Sequence, residues 1–227
     1  MGIVEWAKLV AEIGALVMCA ALIGYGVYTG INAFKKWFDK KLSEQPVSPH
    51  DEMMEARLKI TPEVKSVLKE LLLQTHAARA YVFEFSNGST SFGGLPFIYM
   101  ENTYEVLGQS ATSQKHARQK MPFTLYDSLT DQLSKKDVVT VDTRNKTDEF
   151  DPIIYETMDK RGSTILIATK LLNEHKRAIG FLGIDYCGNP NSSIFKDDKD
   201  ALKEIEKIVF REAQALSTLL YVKISRE

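Results

Sequence analysis

Residues 161–186, RGSTILIATKLLNEHKRAIGFLGIDY, hold two apolar runs on either side of a charged turn. Ser163 to Leu171 and Ala178 to Tyr186 read as strands, because β-branched and aromatic residues suit a pleated, half-buried surface. Leu172 to Arg177 (LNEHKR) is the hairpin between them. Strands connected this way pair antiparallel. Downstream, Leu202, Ile205, Ile208, Val209, Leu216, Leu219 and Leu220 share one face of a long helix. Asp197 suits its N-cap, and Phe195 before the cap is placed to fold back on it.

Upstream, Pro152 to Lys160 reads as a helix and Asp137 to Asp142 (DVVTVD) as a short strand, while residues 108–136 mix helix and loop. Phe97 to Leu107 is a further strand. Arg79 to Ser86 (RAYVFEFS) is another, stopping at Asn87-Gly88, a dipeptide suited to a tight turn. Thr61 has the chemistry of an N-cap with Pro62 at the first helical position. Val64, Val67, Leu68, Leu71 and Leu72 then form an apolar stripe ending near His76. Hairpin-connected strands with helices at the ends predict an α+β domain, an antiparallel sheet flanked by helices.

Residues 161–220 resemble the second half of a GAF domain. The likeness rests on a strand (Ser163 to Leu171), a charged turn (Asn173 to Arg177), and an IGxLxLxx-like strand (Ile179 to Tyr186). It continues through Phe195 with the acid pair Asp197 and Asp198, and the helix Ala201 to Leu220. The resemblance implies a sheet of about six antiparallel strands with a ligand or partner pocket on one face, and dimerisation through terminal helices. Cyclic-nucleotide-binding members carry dispersed Asn, Lys, Phe, Asp and Glu residues; here those letters stand contiguously in Asn145 to Phe150, which is not that arrangement.

The N-terminus differs in kind. Ile13 to Phe34 (IGALVMCAALIGYGVYTGINAF) is uncharged over about 22 residues, enough for a helix to cross a ~30 Å hydrocarbon layer. Glu5 and Glu12 spoil the basic region of a signal peptide and no Ala-x-Ala site follows. Lys35, Lys36, Lys40 and Lys41 follow the span against Lys8 before it, placing the C-terminal part in the cytoplasm. Trp6, Trp37 and Phe38 suit the two interfaces. Gly26 and Gly30 form GxxxG, and Ala20 and Gly24 repeat the spacing, a face for membrane self-association into a homo-oligomer. The expected organisation is a flank (1–12), a transmembrane helix (13–34), a basic juxtamembrane segment and linker (35–60), and the GAF-like domain (61–222).

A hydrophobic content of 44% with 26% charged residues in 227 excludes wholesale disorder. A net charge of -1 argues against a basic nucleic-acid binder. Two cysteines, with no CxxC or zinc spacing, give no expectation of a metal, and Cys187 reads as a buried small hydrophobe. The glycine-rich Gly88 to Gly94 lacks the Lys of a phosphate loop, the four His are scattered, and no GxSxG elbow occurs. No catalytic residues, no cofactor and no enzymatic activity are therefore expected.

The segment Phe85 to Tyr104 is rich in aromatics, glycine and amides, and Asn87, Phe97, Tyr99 and Tyr104 are the candidate ligand-binding residues. The functional expectation is a non-catalytic, single-pass, membrane-anchored sensing or interaction module with a small-molecule or protein ligand. The organisation also resembles the lysis holin of T-even phages, through the N-terminal span, Ala80 to Phe85, and Ile165 to Leu220. That resemblance would place the tail in the periplasm and give it a disulfide, for which Cys187 has no partner outside the span.

Overall fold

A computed structural model describes residues 2–43, 49–90, 96–109, 111–188 and 199–220. The chain divides into two compact units, Met1–Glu52 and Met53–Glu227.

The first unit is dominated by α1 (Ile3–Ser43), whose stretch Ile13–Lys41 is long and apolar enough to cross a membrane by length and composition. Its described side chains point outward, with Leu16, Leu22, Ile23, Ile31 and Phe34 all exposed. Trp6 and Trp37 lie towards its two ends, and Phe34 packs on Trp37 and Phe38.

The second helix, α2 (Pro49–Thr75), begins twelve residues before the N-cap expected at Thr61, so Pro62 is interior to it. Thr61 does not cap: its hydroxyl donates to the Arg57 carbonyl one turn back, at 2.8 Å. An interior proline costs about 3 kcal/mol. The burial of Val64, Leu68, Leu71 and Leu72 against the sheet offsets that cost. The helix stops at His76, which takes a left-handed φ of 55° while its N–H closes on the Leu72 carbonyl at 2.8 Å.

Six strands follow in one antiparallel sheet: β1 (Arg79–Thr90), β2 (Pro96–Leu107), β3 (Met121–Pro122), β4 (Val138–Asp142), β5 (Ser163–Leu172) and β6 (Ala178–Cys187). Their spatial order is β3-β2-β1-β6-β5-β4. β1 runs past Asn87-Gly88 to Thr90, so that dipeptide is strand and not turn, with the register slipping between Asn87 and Thr90. Between β3 and β4 come a 3₁₀ turn (Phe123–Tyr126) and α3 (Asp127–Lys135). Helix α4 (Pro152–Lys160) precedes β5 and α5 (Lys199–Leu220) follows β6. The expected cap at Asp197 and the contact of Phe195 fall outside the described residues.

Because successive strand residues face opposite sides, the sheet carries two cores. On one face Ala80, Val82, Ile167, Leu182 and Ile184 meet α2 and the α5 residues Ile205, Val209, Ala213 and Leu216. Leu220, expected in this stripe, is only half-buried. The other face carries Tyr81, Phe83, Leu166, Ala168 and Phe181 under α3, α4 and the loop before β3. At Gly180 a Cβ would stand 2.0 Å from the Phe83 carbonyl oxygen, so only glycine lets β6 approach β1 there.

Candidate functional site

The second face is buried yet polar at one end, and three arginines distant in sequence meet there. Arg79 opens β1 and is only 1% exposed. Its guanidinium donates to the carbonyls of Thr112 (3.2 Å) and Arg161 (2.9 Å), to Ser163 Oγ (3.0 Å) and to Cys187 Sγ (2.9 Å). Arg161 ends α4, and Gly162 with its φ of 67° turns the chain sharply into β5. Arg118 sits in an irregular segment tied to β2. The Asn102 N–H donates to the Arg118 carbonyl (2.9 Å), and Glu105 accepts the N–H groups of Gln114 (3.0 Å) and Lys115 (3.1 Å).

Asp185, on β6 opposite Arg79, is fully buried. It accepts from Tyr81 Oη at 2.7 Å and Ser163 Oγ at 2.8 Å, with Arg79 Nε at 3.5 Å. Burial opposes its ionisation, but the guanidiniums of Arg161, Arg118 and Arg79 and the Tyr81 hydrogen bond hold its carboxyl below the usual range. Burial, together with the Asp185 charge, pushes the Tyr81 phenol up, so it remains a donor. Burial and the neighbouring Arg118 lower Arg161 from its ordinary value.

The Arg118 guanidinium lies over the rings of Tyr81 (4.3 Å) and Phe83 (4.7 Å), a cation–π stack. Tyr81 can lie there because Gly183 leaves room: a Cβ at that position would meet its ring at 2.5 Å. Phe83 in turn stacks on Phe181 at 4.8 Å. Together Tyr81, Phe83, Arg118, Tyr126, Arg161 and Phe181 are among the residues around a cavity of about 10 Å³. A larger groove of about 810 Å³, bordered by Leu72, His76, Val106 and Tyr186, lies at the end of the α2 side. Among the described residues it carries no buried cluster of charged side chains, so the smaller cavity is the chemically distinctive one.

The candidates read from sequence are placed differently. Tyr104 belongs to the core beneath α2, only 5% exposed, with the Arg57 guanidinium 5.1 Å from its ring and Thr61 Oγ1 at 3.4 Å. Tyr99 is half-buried and pairs with Ser86 across the sheet, on the face opposite the cavity-lining Met100. The side chains of Asn87 and Phe97 lie outside the described residues. Cys187 is a free thiol, half-buried rather than buried. Ala20, Gly24, Gly26 and Gly30 all lie on α1, and a Cβ at any of the three glycines would meet nothing within 4 Å. Among the described residues no group of His, Cys, Asp and Glu is arranged to hold a metal.

Sequence reasoning missed Arg79, Arg118, Arg161 and Asp185. A usable signal was present in β1 and β6, where Arg79, Tyr81 and Asp185 take alternate positions in strands apolar enough to be covered on both faces. Polar residues there must be paired or functional.

The fold is GAF-like. The structure is similar to a far-red cyanobacteriochrome photoreceptor, with a TM-score of 0.51 at 12% identity, over 84% of this chain and 100% of that one. It is also similar to a GAF domain from Synechocystis sp. PCC6803 in its photoproduct state (TM-score 0.48, 12% identity, 70% of this chain and 94% of that one). A GAF domain region from Geobacter sulfurreducens PCA gives 0.47 at 16% identity, over 74% and 99% respectively. No protein-family profile matches the sequence, and no curated protein matches it. The likeness to phage holins finds no support among these neighbours.

Proposed function

We propose that the chain is a non-catalytic, membrane-anchored GAF-like sensing module, its cytoplasmic domain binding a small molecule and α1 holding it to the bilayer as a self-associating helix. The groove of about 810 Å³ bordered by Leu72, His76, Val106 and Tyr186, of the size that small-molecule sites take, carries this reading. The photoreceptor of similar fold is consistent with a sensing role. The run of Lys35, Lys36, Lys40 and Lys41 after the apolar stretch supports the cytoplasmic orientation.

Full-length protein is expected in the membrane fraction after carbonate extraction, and its recovery in the soluble fraction overturns the anchor. The sensing role predicts that the low-molecular-weight fraction of a host extract raises the melting temperature of the detergent-solubilised chain. A ligand at 100 times its Kd stabilises by about 2.7 kcal/mol, a readily measured shift. An unchanged melt argues against a small-molecule ligand.

Self-association has its own test. Replacing both Gly26 and Gly30 by Leu puts bulk on the face where two backbones would approach, and crosslinking in membranes is expected to fall. Unchanged crosslinking removes α1 as the contact.

A further inference from the structure

We propose that the small cavity beside Arg118 is a binding site for a single monoatomic anion, chloride under cellular conditions. The site is separate from the groove on the α2 side, and the proposal does not rest on the sensing reading. Charge argues for an anion. Arg79 and Arg118 are buried, and Asp185 is the only buried carboxylate among the described residues. Both of its oxygens are already engaged, by Tyr81 and Ser163, with Arg79 beside them. Arg118 is 7% exposed, and its Nε and Nη1 are buried without a hydrogen-bond partner. Arg161 Nε is buried and unpartnered too, and Arg118 is near enough to disfavour the Arg161 charge. A buried cation without a counterion is strongly unfavourable, and a like charge beside it adds to the cost.

Size then selects among anions. Arg118 and Arg161 both border the cavity of about 10 Å³, which has room for about one water molecule. Carboxylic acids, phosphate and sulfate are too large for it. A water molecule would accept from the guanidinium N–H groups but leave their charge unbalanced, whereas a halide does both. Chloride is slightly larger than water, and Met100 and Met121 in the wall are unbranched, adaptable side chains that let the wall give. Phe181, Leu129, Ile154 and Leu166 keep the remaining wall apolar, so the attraction between ion and guanidinium is little screened. Asn102 shares a face of β2 with Met100, is fully buried and has an unpartnered amide, whose N–H is a further donor on that face.

The test uses the full-length chain in detergent, in sodium gluconate buffer of constant ionic strength, with sodium chloride as the probe. Chloride NMR line broadening reads the binding, and thermal melts read its effect on stability. Wild type is expected to give saturable broadening that bromide displaces and acetate and sulfate do not. Its melting temperature should rise as chloride replaces gluconate, because an ion bound only by the folded state stabilises it. Arg118→Met should retain the wild-type circular dichroism, bind chloride at least about tenfold more weakly and lose the chloride dependence of its melt. Arg161→Met, at a less buried position, should shift both readouts in the same direction.

No saturable broadening in the wild type would mean an ordered water only, and overturns the proposal whether or not the variants fold. Equal displacement by acetate or sulfate would mean adventitious binding at surface cations and overturns it as well. Undiminished chloride binding by either folded variant does the same.

Discussion

Asp185→Asn is expected to destabilise the soluble unit by about 3–5 kcal/mol, the usual consequence of removing one partner from a buried ionic group. Stability of a domain this size is about 5–15 kcal/mol, so the variant should melt far below wild type or fail to fold. The amide would keep one acceptor oxygen for the two hydroxyls, which now donate to separate oxygens at 2.7 and 2.8 Å, would turn an N–H towards the other, and would leave the guanidiniums of Arg79, Arg118 and Arg161 without a countercharge. Adding Arg79→Met to Asp185→Asn should recover part of the loss, because the unpaired charge goes with it. Urea unfolding followed by circular dichroism measures both. A wild-type midpoint for Asp185→Asn would mean that its carboxylate is not what balances the arginines.

The same carboxylate sets an acid limit. Its folded pKa lies below that of an unfolded aspartate, about 3.9, so its contribution is complete above that pH and fades as pH falls through the folded value. Acid unfolding of the wild type should therefore steepen below about pH 4, and the Asn variant should lack that component.

Leu216→Ala is expected to cost about 2–5 kcal/mol, because the side chain is fully buried between α5 and the sheet and its removal leaves a cavity. Ser217 beside it fixes that turn of α5 by accepting the Leu172 N–H at 3.0 Å, so the helix has little freedom to collapse into the gap. Tyr99→Ala, at a half-buried position, should cost clearly less. Paired thermal melts decide the matter: equal losses would make Tyr99 an ordinary core residue and remove it from any ligand-binding role.

The strands of the 161–186 hairpin were legible because the side-chain pattern within a few residues already carries the information. Observed bounds, Ser163–Leu172 and Ala178–Cys187, differ from the reading by one residue each. The start of α2 was not legible. Thr61-Pro62 has the chemistry of a helix beginning, and only the tertiary packing of the stripe that follows overrides it. Asn87-Gly88 misled in the same way, since a dipeptide that favours a turn does not compel one when β2 offers a partner strand.

The polar cavity was harder still. Arg79, Arg118 and Arg161 stand at a strand start, in an irregular loop and at a helix end, and no local period links them. What joins them is the strand order, in which β6 lies between β1 and β5 and brings Asp185 beside Arg79 and Ser163. The aromatic segment around Tyr99 and Tyr104 stood out by composition, yet strand alternation and the slip between Val82 and Phe83 turn both tyrosines towards the α2 side.

Trp6 and Trp37 are the two tryptophans of the chain, and both belong to α1. Indole emission from the intact protein is therefore a signal from this helix alone, blind to melting of the sheet, where tyrosine and phenylalanine are the only aromatic chromophores. At 1.5 Å per residue the two rings are spaced about 46 Å apart along the axis, close to the full thickness of a bilayer with its headgroups. Quenchers placed at known depths in a lipid would turn the pair into a built-in optical ruler, reading the depth and tilt of α1 without any label.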